Sequence, residues 1–347
     1  MRIGILTSGG DCPGLNAVIR AIVRKSILEK LETVGILNGW QGIIEEKIIP
    51  LGINDVAGII NRGGTILGTS RYSPFEVEGG KEKLLFNAKK NKLDAIISIG
   101  GEGSMHIAKF AFEAGLNVIG LPKTIDNDIY GTDYCFGFDT ASNIATEAID
   151  RIHTTAESHH RVMVVEVMGR HAGWIAIRAG LAGGADMILI PEKPEKIDYV
   201  VDVVLKRKKR GKLFSIVVVA EGCDYLKNEL RKYKQFRESS KKFDDFGRER
   251  LGGIGHFLAE EIEDRTDIET RAVILGYVQR GGIPSAFDRL LGTRFGVHAV
   301  EMIKQKRWGR MAALKGLKIV DKSFDEVVGK VHLVDDEYYN VAKTFFN

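Results

Sequence analysis

The stretch Ile3–Gly14 reads IGILTSGGDCPG. Ile3–Thr7 is a continuous apolar run, and a run without polar alternation predicts a strand covered on both faces. The glycine-rich turn Thr7–Gly14 follows at once, and helical spacing of apolar residues then runs over Asn16–Leu31. The same order recurs downstream. Asp94–Ile99 (DAIISI) leads into the turn IGGEGS and a helix over Ser104–Ala114, and Val118–Leu121 is the next strand. Val34–Leu37, Val162–Val167, Phe214–Ala220 (FSIVVVA) and Arg271–Leu275 (RAVIL) are further strand candidates. Strand–turn–helix recurrence predicts βαβ units, a mostly parallel sheet and an α/β fold. Ligands of such sheets sit outside the carboxyl ends of the strands, so the chemistry is sought in the segments after each strand.

The length of 347 residues is consistent with about two domains. Hydrophobic residues make up 44% and charged residues 28%, which supports a packed core and excludes a disordered chain. Forty glycines against seven prolines point to tight turns and close backbone approaches. The net charge of +4 is mild. It fits an anionic small-molecule substrate and lacks the basic stripe of a nucleic-acid binder. No apolar run approaches membrane-spanning length, and the N-terminal apolar stretch is too short for a signal peptide. Cys12, Cys135 and Cys223 are widely spaced and form no CxxC pair, which makes a reducing cytoplasm the expected location. Lys206–Arg210 (KRKKR) reads as a solvated helix end, and the polar stretch Asp224–Arg250 as an exposed helix, an insertion or a connection.

Four segments carry candidate chemistry. In TSGGDCPG, glycines after a strand let backbone N–H groups approach an anion at a helix N-terminus, although a tight βα turn has the same composition. In IGGEGS, glycines flank Glu102. A carboxylate in a phosphate loop repels its ligand unless a cation such as Mg²⁺ lies between, and otherwise Glu102 serves the helix dipole. In LPKTIDNDIYGTD, Leu121–Asp133, Asp126 and Asp128 either share a side of an extended segment or diverge in a turn and take separate roles. One would accept a hydroxyl proton and the other would help hold the metal, the two functions phosphoryl transfer needs. The fourth group is basic: Arg161, Arg170, Arg271 and Arg280, whose planar forks suit phosphate. Glu221 follows Phe214–Ala220 at the strand's carboxyl end and suits sugar hydroxyls. His159, His160 and His171 show no metal spacing.

Taken together, TSGGDCPGLNAVIR, NRGGTILGTSR, IGGEGS, PKTIDND, GFDTA, EVMGRHAGWIA, GGAD, AEG, ETR and GYVQRGGIPSAFDR resemble the phosphofructokinase A family of ATP- and pyrophosphate-dependent 6-phosphofructokinases. The resemblance covers Met1 to about Val300 and is nearest to the mixed-substrate subgroup called group III. It implies two doubly wound α/β domains with mostly parallel sheets and the active site in the cleft between them. The larger, donor-binding domain would comprise 1–137 plus 251–300, and the smaller, sugar-phosphate domain 138–250 plus 301–347. The implied reaction is transfer of the γ-phosphoryl of ATP to the 1-hydroxyl of fructose 6-phosphate, a step of glycolysis, with Mg²⁺ as cofactor. The alternatives are pyrophosphate as donor, or another sugar phosphate such as sedoheptulose 7-phosphate.

By the same resemblance, Gly9, Gly10, Arg71, Tyr72, Gly101, Glu102, Gly103 and Ser104 would line the donor site, and Glu102 and Asp128 would serve the metal. Thr124, Ile125 and Asp126 would meet the sugar, with Asp126 as base. Met168, Gly169, Arg170 and Glu221 would hold the sugar. Arg161 and Arg271 would reach its 6-phosphate from a neighbouring subunit, with Arg280 and Tyr277 on the same phosphate. Arg71 and Arg170 would offset charge on the transferred group. Tyr277 stands where many members have His and cannot become cationic near neutral pH. Gly103 and Lys123 bear on the donor. Pyrophosphate users carry Asp at the first position and Lys at the second, so Gly103 favours ATP and Lys123 pyrophosphate; exclusion by a carboxylate is the stronger effect, which favours ATP. A homotetramer or homodimer is implied. Arg20, Arg24 and Lys212 match part of a family effector site, but Ile53 and His153 do not complete it, so control by such effectors is not expected.

Overall fold

The structure is a computed structural model that describes residues 1–223, 226 and 252–346. Its strands are β1 (Arg2–Ser8), β2 (Glu32–Ile36), β3 (Ile48–Pro50), β4 (Ala95–Gly100), β5 (Val118–Thr124), β6 (Phe136–Gly137), β7 (Val162–Val167), β8 (Met187–Leu189), β9 (Ser215–Ala220), β10 (Thr270–Ile274), β11 (Arg310–Lys315) and β12 (Lys318–Ser323). The chain divides into two compact units. The first comprises Met1–Ile125, Ile129–Thr140 and Arg280–His332; the second comprises Asp126–Asp128, Ala141–Gln279 and Leu333–Asn347.

The first unit is built on a sheet in the order β12-β11-β5-β4-β1-β2-β3, with β6 against β5. The neighbours from β11 to β2 run parallel, and β12 and β3 close the two edges antiparallel. β1, β4 and β5 carry apolar residues on both faces, as strands covered on both sides do; β4 and β5 are buried along their whole length. The helix Leu15–Leu28 packs closely on Ala286–Lys304 because glycines lie at the contact. A Cβ on Gly292 would stand 2.8 Å from Val18 Cγ2, and one on Gly296 2.8 Å from Ala21 Cβ. The helix ends before the predicted Leu31 because Lys30 turns left-handed, at φ 58.

The second unit holds a four-stranded parallel sheet in the order β10-β7-β9-β8. Glu166, on β7 and 2% exposed, accepts from the backbone N–H groups of Gly253 (3.0 Å) and Gly255 (2.7 Å). It thereby caps the helix Ile254–Thr266, whose N-cap Gly253 has no side chain to do so. The C-terminal segment is tied down by Glu192, which accepts from Gly173 N (2.9 Å) and Val334 N (3.0 Å), and by the edge-on contact of Trp174 with Tyr338.

The α/β class and the parallel sheets match the sequence reading, but the segments are shared out differently. Residues 252–279, expected with the donor-binding domain, fall in the second unit because β10 pairs with β7, Thr270 opposite Val162. Residues 301–332, expected with the sugar-phosphate domain, fall in the first because β11 pairs with β5 and the hairpin turns at Gly316, φ 56. Leu251, and the polar stretch Asp224–Arg250 apart from Leu226, lie outside the described residues. No helix among the described residues is long and apolar enough to cross a membrane.

Candidate active site

In the first unit the parallel register sets Ser8 opposite Gly100, and Gly100 opposite Pro122. Three loops therefore leave adjacent strands at the same level: Gly9–Gly14 after β1, Gly101 after β4, and the end of β5. Gly9 needs its left-handed φ of 80, and a Cβ there would stand 3.5 Å from Ser104 Oγ and 3.8 Å from Lys123 Nζ. Lys123 is 3% exposed and donates to the Gly10 carbonyl oxygen. The Arg280 guanidinium lies against the same loop: a Cβ on Gly10 would be 3.0 Å from Nη1, which also approaches Asp11 O at 3.4 Å. The segment preceding Arg71 and Tyr72 is tied in by Gly9 N–H donating to Ser70 O (2.9 Å) and Thr69 Oγ1 donating to Gly9 O (2.6 Å).

The helix Glu102–Glu113 starts on the N-cap Gly101, which supplies no side-chain cap, and a helix N-terminus carries partial positive charge. Glu102 and Gly103 are its first two residues. Glu102 Oε1 lies 2.8 Å from His106 Nδ1, one turn on. Two buried or half-buried cations, Lys123 and Arg280, thus stand beside a helix N-terminus and two glycine loops. That arrangement is suited to a polyanion of the length of a di- or triphosphate.

The chain passes from the first unit, which ends this stretch with Thr124 and Ile125, to the second at Asp126. Thr124, Ile125, Asp126 and Asn127 are buried, and Asn127 is left-handed at φ 53. The DND segment is therefore a turn, the second of the two conformations open to it in the sequence.

In the second unit Met168–Arg170 leave the carboxyl end of β7, and Glu221 that of β9, its parallel neighbour. Arg170 is left-handed (φ 54) after Gly169 (φ 143), and its N–H donates to Glu221 Oε1 at 3.1 Å. Gly222 has no room for a side chain: a Cβ would stand 1.7 Å from Arg170 O. Arg161 and Arg271 lie at the other end of the sheet, before β7 and at the start of β10. At ~3.3 Å per residue the length of β7 separates Arg161 from Met168 by about 20 Å. Glu269 joins the two arginines, at 2.8 Å to Arg161 Nε and 2.6 Å to an Arg271 amine, and the Arg161 guanidinium holds its carboxyl below the usual range. Near them a cavity of about 180 Å³ is lined by His160, Lys208, Lys212, Phe214, Asp267 and Glu269 among others. Tyr277 is 78% exposed.

Sequence reasoning did not assign three groups: Thr69 with Ser70, His106 and Gln279. Thr69, Ser70 and Gln279 lie inside quoted motifs, but their partners are far away in sequence; Gln279 accepts from Met168 N, 111 residues distant. Only His106, four residues after Glu102, carried a local signal, the i,i+4 pairing.

Glycine loops with Lys123 and Arg280 beside them at the carboxyl ends of one set of parallel strands, and a second parallel sheet bearing its own loop and carboxylate, place the chain in the class of α/β proteins whose loops gather at strand ends. The family model described as phosphofructokinase matches residues 2–303. The chain is 52% identical to the pyrophosphate–fructose 6-phosphate 1-phosphotransferase of Amycolatopsis mediterranei over 347 residues, 100% of both chains. It is 48% identical to ATP-dependent 6-phosphofructokinase 3 of Streptomyces coelicolor over 344 residues, 99% of both. Among solved structures, Pichia pastoris phosphofructokinase in the T-state matches at TM-score 0.83 and 31% identity over 99% of this chain and 39% of that one, so this chain spans about two fifths of the yeast chain. The chain belongs to the phosphofructokinase family.

Proposed function

We propose that the protein transfers the γ-phosphoryl group of ATP to the 1-hydroxyl of fructose 6-phosphate, giving fructose 1,6-bisphosphate and ADP. The observation that carries this reading is the convergence of Gly9, Gly10, Gly101, Ser104 and Lys123 at the ends of β1, β4 and β5. Gly103, second residue of its helix, bears on the donor. A carboxylate at that position would stand at the helix N-terminus and repel the further phosphate of a nucleotide; glycine does not.

On this reading Asp126 accepts the proton of the 1-hydroxyl, and Thr124 and Ile125 line the sugar side of that group. Arg71 and Arg170 offset the charge on the transferred phosphoryl group, the effect that dominates this reaction class. Met168, Gly169, Arg170 and Glu221 hold the sugar, and Arg280 remains available as a phosphate cation. No cluster of three or more metal-ligating side chains occurs among the described residues. Mg²⁺ needs none, since it takes one or two carboxylates and completes its shell with phosphate oxygens and water. Glu102 and Asp128 would hold it, and when bound it would neutralise charge on the donor's phosphates. Arg161 and Arg271, at the opposite end of the sheet from Met168, fit a role toward a second copy, which would make the protein a homodimer or homotetramer. A glycolytic enzyme of this type works in the cytoplasm.

Pyrophosphate is the second reading. The buried Lys123 ammonium beside the Gly9–Gly10 loop suits a short, dense anion, and the Amycolatopsis relative carries that name. A coupled assay with fructose 6-phosphate and Mg²⁺ decides. Turnover with ATP and at most traces with pyrophosphate is expected; the reverse establishes the second reading, and no turnover with either ends both.

A further inference from the structure

The turn Gly276–Arg280 is anchored in an unusual way. Its apolar side chains point outward: Tyr277 is 78% and Val278 62% exposed in the chain. The one buried member is a polar residue, Gln279, at 0% exposure. Its carboxamide spans two segments of the second unit. Oε1 accepts from Met168 N–H at 3.3 Å, and Nε2 donates to Gly276 O at 3.1 Å. These partners fix which way the amide faces, because an N–H can meet only the oxygen and a carbonyl only the NH₂. The segment Met168–Arg170 is thus held at both ends by side chains, Met168 by Gln279 and Arg170 by Glu221. Between them lie Gly169 and the left-handed Arg170, conformations that persist only where the surroundings impose them.

We propose that Gln279 is a positioning residue for the sugar phosphate: it locks the loop Met168–Arg170 in its binding conformation and ties it to the Gly276–Arg280 turn. This rests on the assignment of that loop to the sugar. It carries a chemical consequence. Since the Met168 and Arg170 N–H groups are committed to Gln279 and Glu221, the loop offers the sugar its side chains and carbonyl oxygens rather than these two donors.

Gln279→Met keeps the volume and loses both hydrogen bonds; Gln279→Glu keeps the acceptor for Met168 and loses the donor to Gly276. The expected result for Gln279→Met is a tenfold or larger rise in KM for fructose 6-phosphate, with donor KM within twofold, and at least tenfold faster amide exchange at Met168–Arg170. Gln279→Glu should retain most of the Met168 protection. A parallel rise in both KM values with a lowered Tm would reduce Gln279 to a structural residue and overturn the proposal, as would unchanged amide exchange. The exchange measurement is made on the full chain without substrate. It therefore tests the lock even if the wild-type enzyme does not turn over fructose 6-phosphate, an outcome that would defeat the functional reading alone.

Discussion

Lys123 sends its ammonium group from a side chain 3% exposed to the carbonyl oxygen of Gly10, joining the end of β5 to the loop after β1. A buried charge is tolerated only where it is paired or hydrogen-bonded. The contact shapes the Gly9–Gly10 turn and supplies positive charge beside it.

Lys123→Met should therefore weaken the donor rather than the sugar. A hydrogen bond to a charged group contributes about 1.5–3 kcal/mol, or roughly tenfold to a hundredfold. We expect donor KM to rise within that range while KM for fructose 6-phosphate changes little. Equal changes in both, measured by varying each substrate in turn, would contradict the placement of Lys123 on the donor side.

Gly103→Asp tests the donor from the opposite direction. The substitution sets a carboxylate in the first turn of the helix Glu102–Glu113, beside Glu102. ATP turnover should fall at least tenfold, with pyrophosphate use unaffected or improved. Unchanged ATP kinetics would remove glycine's place in donor choice.

Asp126→Ser removes the proposed base while leaving a small polar group in a buried position. Loss of a positioned base costs about 10²–10⁴ in rate. The fall should appear in kcat, with donor KM within a few-fold. A kcat close to wild type would exclude Asp126 from proton transfer.

How much of this was legible follows from the range of each signal. β1, β4, β5, β7 and β9 are apolar on both faces, so composition alone marks them. β12, KIVDKS, is half-exposed along most of its length and keeps no apolar run. β8 has only Met187–Leu189. The glycine loops were readable because each adjoins its strand and opens a helix. Gln279 and Glu192 were not, because their partners come from distant segments: Gly173 and Val334 both donate to Glu192, 19 and 142 residues away. The sorting of residues 252–279 and 301–332 between the units escaped for the same reason, since strand partners are chosen over long range.

Gly222→Ala bears on the sugar loop through packing. A Cβ would stand 1.7 Å from Arg170 O, and the obstacle is backbone, which cannot swing aside as a side chain can. The Met168–Arg170 loop must move. Overpacking of this kind costs about 1–3 kcal/mol. We expect a lower Tm and at least a tenfold rise in KM for fructose 6-phosphate, with donor KM little changed. An unaffected sugar KM would separate this loop from sugar binding.

Asp288 gives a prediction in pH. It is 0% exposed, and its Oδ2 accepts from Thr140 N (2.8 Å) and Oγ1 (2.5 Å). Burial pushes its carboxyl up to about 6 from an ordinary 3.8, against the Thr140 hydrogen bonds that favour the anion, and the nearby Asp139 adds to the rise. The folded protein thus holds this proton more tightly than the unfolded chain. The contribution of this group to stability is full below pH 3.8 and is lost as pH rises through about 6, by roughly 3 kcal/mol at most, since one pH unit corresponds to about 1.36 kcal/mol. Asp288→Asn cannot ionise, and its carbonyl oxygen can keep the Thr140 donors. Between pH 4 and pH 7 the variant should therefore gain about 1–3 kcal/mol on the wild type, whichever is the more stable at pH 4. Urea unfolding of both proteins at each pH measures that gap. A gap that does not change with pH would mean that Asp288 ionises in the fold as it does in the unfolded chain.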